Sequence, residues 1–170
     1  MARGHNTIRE GIVSGLAGAA AVAIWFFVLD LAQGRLLFTP AALGSGFLLG
    51  ARGVNEIEYT AATVLGYSVL HGTVFLTVGL LAATLIHAAE KRPVVLLGGI
   101  LLFVTLEVLF VGLMALIASW LIDALQWWTI AIANVLAGLA MGLYLYRTHP
   151  RLKPALRQDL EEQEARANLL

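Results

Sequence analysis

No cysteine occurs anywhere in the 170 residues. Disulfides, thiolate metal sites, iron–sulfur clusters and cysteine nucleophiles are therefore excluded. Charge is scarce as well. Only 13 % of the residues are Asp, Glu, Lys or Arg, about half the share of an ordinary soluble domain. Proline is rare, with four residues, and none of them interrupts the second, third or fourth apolar span. No HExxH, GxSxG, P-loop or paired DxD pattern is present, which disfavours an enzyme. The basic residues flank apolar stretches and form no patch interleaved with aromatics, so nucleic acid is not an expected partner.

What is present is apolar: 59 % of the chain is hydrophobic and the mean hydropathy is +0.83. A membrane-spanning helix needs about 20 mostly apolar residues, and four stretches supply them. The first is uncharged from Gly11 to Leu29 and is extended by Asp30 to Ala32. The second runs from Tyr59 to Ala89 and carries His71 and His87. Val94 to Ile122 is broken only by Glu107, and Trp127 to Tyr146 has Asn134 as its most polar member. The expected fold is an all-α membrane protein. Four transmembrane helices (residues 9–32, 59–89, 94–122 and 127–147) form an antiparallel bundle within a domain of residues 1–148, followed by a cytoplasmic tail, 149–170. Arg3 and Arg9 before the apolar run containing Ala21, Val22 and Ala23 have the outline of a cleavable signal. That run continues through Trp25, Phe26 and Phe27 for a full membrane thickness, so the first helix is read as uncleaved.

Orientation follows from the basic residues near the span ends. Arg3, Arg9, Lys91, Arg92, Arg147, Arg151, Lys153 and Arg157 lie on one side, and only Arg35 and Arg52 on the other. Both termini are expected in the cytoplasm. Trp120, Trp127 and Trp128 mark the outer interface, and Tyr144 and Tyr146 the inner one. In the first outer loop, Thr39 as N-cap and Pro40 at the first helical position predict a short interfacial helix. "NEIE", with Asn55 as cap and Glu58 three residues on, predicts the start of the second span. "FFVLDL" in the first span resembles "FVTLEV" in the third, a short match biased by composition.

Lipid gives helices no hydrophobic reason to associate, so small residues that admit close backbone approach mark the contact faces. Gly11, Gly15 and Gly18, with Ala19, offer such a face on the first span. Ser68, Gly72 and Gly79 do so on the second, and Asn134, Gly138 and Gly142 on the fourth.

His71 and Glu107 sit near the middles of two antiparallel spans, within about one to two helical turns of the same depth. They form the candidate intramembrane polar pair. Tyr67 and Ser68 share the face of His71, Asn134 joins from the outer half, and water or Gln33 would satisfy Asp30 near the outer interface. Two readings of the pair stay open: a hydrogen bond that fixes the register of the bundle, or a proton or cation relay. Haem is not supported, because His71 and His87 share a helix and lie about 24 Å apart along it. His5, His87 and His149 lie near one face and converge on a metal only if their segments meet, so no metal site is assigned. No cofactor is indicated.

The layout is that of many small bacterial inner-membrane proteins, and no motif ties it to a particular family. The expected function is that of a multi-pass inner-membrane accessory or structural subunit, packing with itself or with other membrane subunits in the lipid bilayer. The alternatives are a proton- or ion-coupled carrier or channel component built on His71 and Glu107, and a binder of a lipid- or quinone-type ligand between helices.

Overall fold

The computed structural model describes residues 6–92, 94–117 and 119–150, together with Leu152, Pro154, Arg157 and Glu161. At 102, 106, 107, 110, 111, 113–115 and 117 it describes the backbone alone. The described residues are mostly helical, with no strand among them. They form α1 (Thr7–Ala32), α2 (Phe38–Leu49), a 3₁₀ turn (Val54–Glu56), α3 (Ala61–Ala89), α4 (Val94–Ile117), α5 (Ser119–Leu125) and α6 (Trp127–Thr148). Three of these, α1, α3 and α6, are long and apolar enough to cross a membrane, as expected of a helical membrane protein.

α1 is the hub, lying between α3 and α6. It starts at Asn6, whose side chain accepts from Arg9 N at 3.2 Å and so satisfies one of the orphan amides of the first turn. Two neighbouring stripes then divide its buried surface. Gly11, Gly15 and Ala19 face α3, where the residues beside them are Gly79, Phe75 and His71, four residues down α3 for every four up α1. A Cβ on Gly11 would come within 2.7 Å of the Leu80 Cα, and one on Gly79 within 2.7 Å of the Gly15 Cα. The backbones touch, and nothing larger fits. The second stripe faces α6: Gly18 lies under Met141, Val22 packs on Ala133 and Ala137, and Trp25 donates from Nε1 to the Thr129 carbonyl at 3.0 Å.

At the other end of α1 the chain reverses into α2. Arg35 N donates to the Asp30 carbonyl at 2.8 Å. Phe38, Ala42 and Leu43 of α2 form a buried cluster with Leu121 and Leu125 of α5. α2 is therefore half interior: Phe38 to Ser45 is largely buried and Phe47 to Leu49 exposed. Its start differs from expectation. The helix begins at Phe38, one residue before Thr39, and the cap position is Leu37 in a left-handed conformation with no side-chain cap. Thr39 is instead a donor within the first turn, because the cap comes from Asp30 on α1.

The expected Asn55 cap of the second span is also replaced. Val54–Glu56 is a separate 3₁₀ turn, and α3 begins three residues after Glu58 with a reciprocal box in which Thr60 and Thr63 bond each other's backbone amides at 3.2 Å. Ser45 of α2 has drawn Glu58 into an extended approach, its Oγ accepting Glu58 N at 2.9 Å, and Thr63 Oγ1 donates to the Glu58 carbonyl at 2.7 Å.

The stretch predicted as one span from Val94 to Ile122 is helical at its described residues: α4 packs on α3, and α5 lies against α2 and leads to α6. Gln126, at φ 62°, makes the corner between α5 and α6.

Candidate functional site

The polar side chains of the apolar core lie at three levels along α1. At the middle level, His71 of α3 stands beside Ala19, the smallest side chain with a Cβ on its stripe. Its Nε2 lies 3.2 Å from the Ala19 carbonyl oxygen. A carbonyl only accepts, so Nε2 carries the proton. The ring is held between Tyr67, at 5.7 Å between centroids, and Phe75, at 4.8 Å, the residues one turn to either side on the same helix face. Tyr67 in turn packs on the α2–α5 cluster. The partner that His71 meets among the described residues is thus a main-chain oxygen of α1. The side chain of Glu107, its expected partner, lies outside the described residues. Ser68 is exposed and donates back to the Val64 carbonyl at 2.7 Å within its own helix. Asn134 is half-buried on α6, beside the α1-facing stripe.

A test of the His71 bond follows from this geometry. His71→Phe retains the ring between Tyr67 and Phe75 and removes only the N–H, so thermal unfolding in mild detergent should show a loss of about 0.6 kcal/mol, the mean for interhelical hydrogen bonds in membranes. His71→Ala also empties the space between the two rings and should cost about 2 kcal/mol. Equal losses in the two variants would mean that the hydrogen bond outweighs the packing.

At the end of α1 next to α2, Asp30 is 3 % exposed. Both carboxylate oxygens are used: Oδ2 accepts Thr39 N at 2.8 Å and Oδ1 accepts Thr39 Oγ1 at 2.9 Å. The partner anticipated for Asp30, Gln33, instead bonds Arg35. The Arg35 guanidinium lies 3.9 Å above the Phe38 ring, a cation–π contact that holds the turn closed.

At the opposite end His87 and His149 do meet, their rings edge to face with centroids 6.0 Å apart. His149 faces Glu10 as well, whereas His5 lies outside the described residues. No group of three or more His, Asp or Glu side chains able to hold a metal ion occurs among the described residues. Sequence reasoning overlooked Glu10, although a signal existed. Glu10, Ser14, Gly18, Val22, Phe26 and Asp30 recur every four residues, so both acids of α1 fall on one slowly winding stripe. Glu10, Ser14, Gly18, Val22 and Asp30 are all buried.

The glycines divide into two sets. Gly11, Gly15, Gly18 and Gly79 lie in close helix contacts, whereas a Cβ added at Gly72, Gly138 or Gly142 would meet nothing within 4 Å. Ala133, Ala137 and Met141, one position before the Asn134–Gly138–Gly142 stripe, are the α6 residues buried against α1. No family model, curated protein or solved structure matches this chain.

Proposed function

We propose that this chain is a small four-span protein of the bacterial inner membrane, with both termini in the cytoplasm, that serves as a non-enzymatic subunit and packs in the bilayer against copies of itself or another integral protein. The observation that carries this reading is the α6 stripe. Its glycines at 138 and 142 leave a flat surface with no described residue against it, beside the Ala133–Ala137–Met141 stripe that α1 does cover. Small residues on a membrane helix admit a second backbone.

The absence of cysteine makes single-cysteine labelling clean. Cysteine at Gly138 or Gly142 is expected to form cross-links, to a second copy or to another subunit, in intact membranes. Cysteine at Ile24, an exposed position of α1, should not. Reporters fused after His149 and near Glu90 should read cytoplasmic, and one near Arg52 external. An external C-terminus, or identical labelling at Gly138 and Ile24, would reject this reading.

The bond from His71 to α1 favours the structural role for that histidine over the relay with Glu107 or a contact for a quinone-type ligand. A stable His71→Phe variant that had lost a pH-dependent flux would reverse the order.

A further inference from the structure

α2 turns its polar side chains inward and its large apolar ones outward. Its two hydroxyls, on Thr39 and Ser45, are 3 % and 0 % exposed. Thr39 is bound by Asp30, and Ser45 Oγ accepts the Glu58 amide. The residues of α2 that stay exposed are Phe47, Leu48 and Leu49. Successive residues of a helix point about 100° apart, so these three spread over about 200° of the circumference. A single packed neighbour covers a stripe of about 100°, whereas a fluid covers all three. A helix lying on a membrane surface presents a charged face to water, and α2 has none. From Leu36 to Ala51 the sequence carries no charge, and the stretch is bounded by Arg35 and Arg52.

The backbone at the start of α2 needs no water. The Phe38 amide donates to the Arg35 carbonyl at 2.9 Å, the Thr39 amide to Asp30 Oδ2 at 2.8 Å, and the Ala41 amide to the Leu37 carbonyl at 3.1 Å. Pro40 has no N–H to satisfy. The reversal before it is closed in the same way, with Gln33, Gly34 and Arg35 donating to the carbonyls of Leu29, Leu31 and Asp30. Backbone lies among acyl chains only where its polar groups are met within the protein. Leu36 and Leu37, which carry the bend into α2, are 52 % and 41 % exposed. At the far end Gly50 and Ala51 both donate to the Ser45 carbonyl. The carbonyls of the last turn point along the helix axis toward Arg52, where the chain becomes polar again.

Contacts with α1 and α3 set the level of α2. Thr39 meets α1 at Asp30, just short of its end at Ala32. Gly44 packs against the Thr63 carbonyl, and Leu48 Cδ1 lies beside Gly66. α3 starts at Ala61, so at about 1.5 Å per residue the Leu48 contact is about 8 Å inside that end. With 12 residues, α2 is about 18 Å long, too short to cross a hydrocarbon core of about 30 Å. Both its ends therefore belong to one leaflet. The exposed strip continues beyond Leu48 into Leu65 and Val69 of α3, and before the bend into Val28 and Leu31 of α1. Those are exposed residues of two helices long and apolar enough to cross a membrane.

We propose that α2 and the Leu36–Leu37 bend form a re-entrant element immersed in one leaflet, with lipid acyl chains as its partner. Leu36, Leu37, Phe47, Leu48 and Leu49 contact the tails, and Arg35 and Arg52 hold the two ends of the stretch at headgroup level. The inference rests on the reading of the chain as a membrane protein. It holds for either orientation and for any subunit partner.

The test uses the full-length chain in phosphatidylcholine vesicles, with one spin-labelled cysteine at a time at Leu36, Leu49, Ile24 or Asn55, all exposed. Collision with oxygen, which concentrates among acyl chains, is compared with collision with a water-soluble nickel chelate. Oxygen should dominate at Leu36 and Leu49 as it does at Ile24 on α1, and the order should invert at Asn55 in the 3₁₀ turn. Nickel dominance at Leu36 and Leu49, with oxygen dominance at Ile24, would put α2 outside the bilayer and overturn the proposal while the membrane reading stands. Weak collision with both reagents at Leu49 would mean that protein covers the helix, and would overturn lipid as its partner. Nickel dominance at Ile24 would remove the membrane reading and the proposal with it.

Discussion

Gly15→Leu is expected to destabilise the folded chain in detergent by about 3 kcal/mol or more. Gly15 lies where α1 and α3 cross with their backbones in contact, and a Cβ built on it would stand 3.0 Å from the Leu76 Cα, with the Phe75 carbonyl closer still. These are main-chain atoms of a helix and cannot swing aside as the end of a side chain would. Overpacking a core commonly costs about 1–3 kcal/mol, and occasionally more. Here four side-chain carbons would have to wedge between helices whose seam continues through Gly11–Gly79 and Ala19–His71. The expected cost is about 3 kcal/mol or more, read as a Tm drop of about 10 °C or as aggregation on size exclusion. Gly79→Ala tests the same seam from the other side, with its Cβ 2.5 Å from the Gly15 nitrogen. Gly138→Leu is the contrast. It meets open space, so the fold of the single chain should change by less than about 0.5 kcal/mol, while association through α6 is lost. Wild-type melting of Gly15→Leu would mean that α1 and α3 do not cross there.

Asp30→Ala should produce the second large loss. The carboxylate is buried and satisfies two donors of a residue that is itself 3 % exposed, the amide and the hydroxyl of Thr39. In the first turn of α2 that amide has no intrahelical partner, and removal of Asp30 leaves both donors buried and unmet. At about 1–3 kcal/mol for each, the loss should reach about 3 kcal/mol. It should be concentrated in the α1–α2 reversal, and hydrogen exchange would show Ala41 to Ser45 losing protection first. Thr39→Val removes the hydroxyl alone and should cost about 1–2 kcal/mol. The double variant should lose less than the sum, since the valine has no hydroxyl left to strand. A coupling of about 1 kcal/mol or more is expected. Strict additivity would show that Asp30 acts through some other contact.

The apolar run lengths settled much in advance. They placed the three long helices within a few residues, because the balance between apolar and charged residues along a stretch is a one-dimensional property. Four-residue spacing also announced which residues share a face, including the Gly11–Gly15–Ala19 stripe. Which faces find a partner was decided only by the tertiary structure. Small stripes had opposite outcomes: Gly11, Gly15 and Gly79 meet backbone, whereas Gly138 and Gly142 meet none among the described residues. Periodicity states that a face is small and leaves open what lies against it, for that depends on how three helices share the circumference of α1. The partner of His71 was hidden for the same reason. A main-chain carbonyl has no signature in a sequence, and Ala19 becomes that partner only through the register in which Gly11 meets Gly79. The caps of α2 and α3 show the same limit at short range. Local rules chose Thr39 and Asn55, residues of the right type at the right offset. Asp30, distant in sequence but beside Thr39 in space, supplies the acceptor at the start of α2, while Ser45 takes Glu58 N and α3 starts later, at the Thr60–Thr63 box.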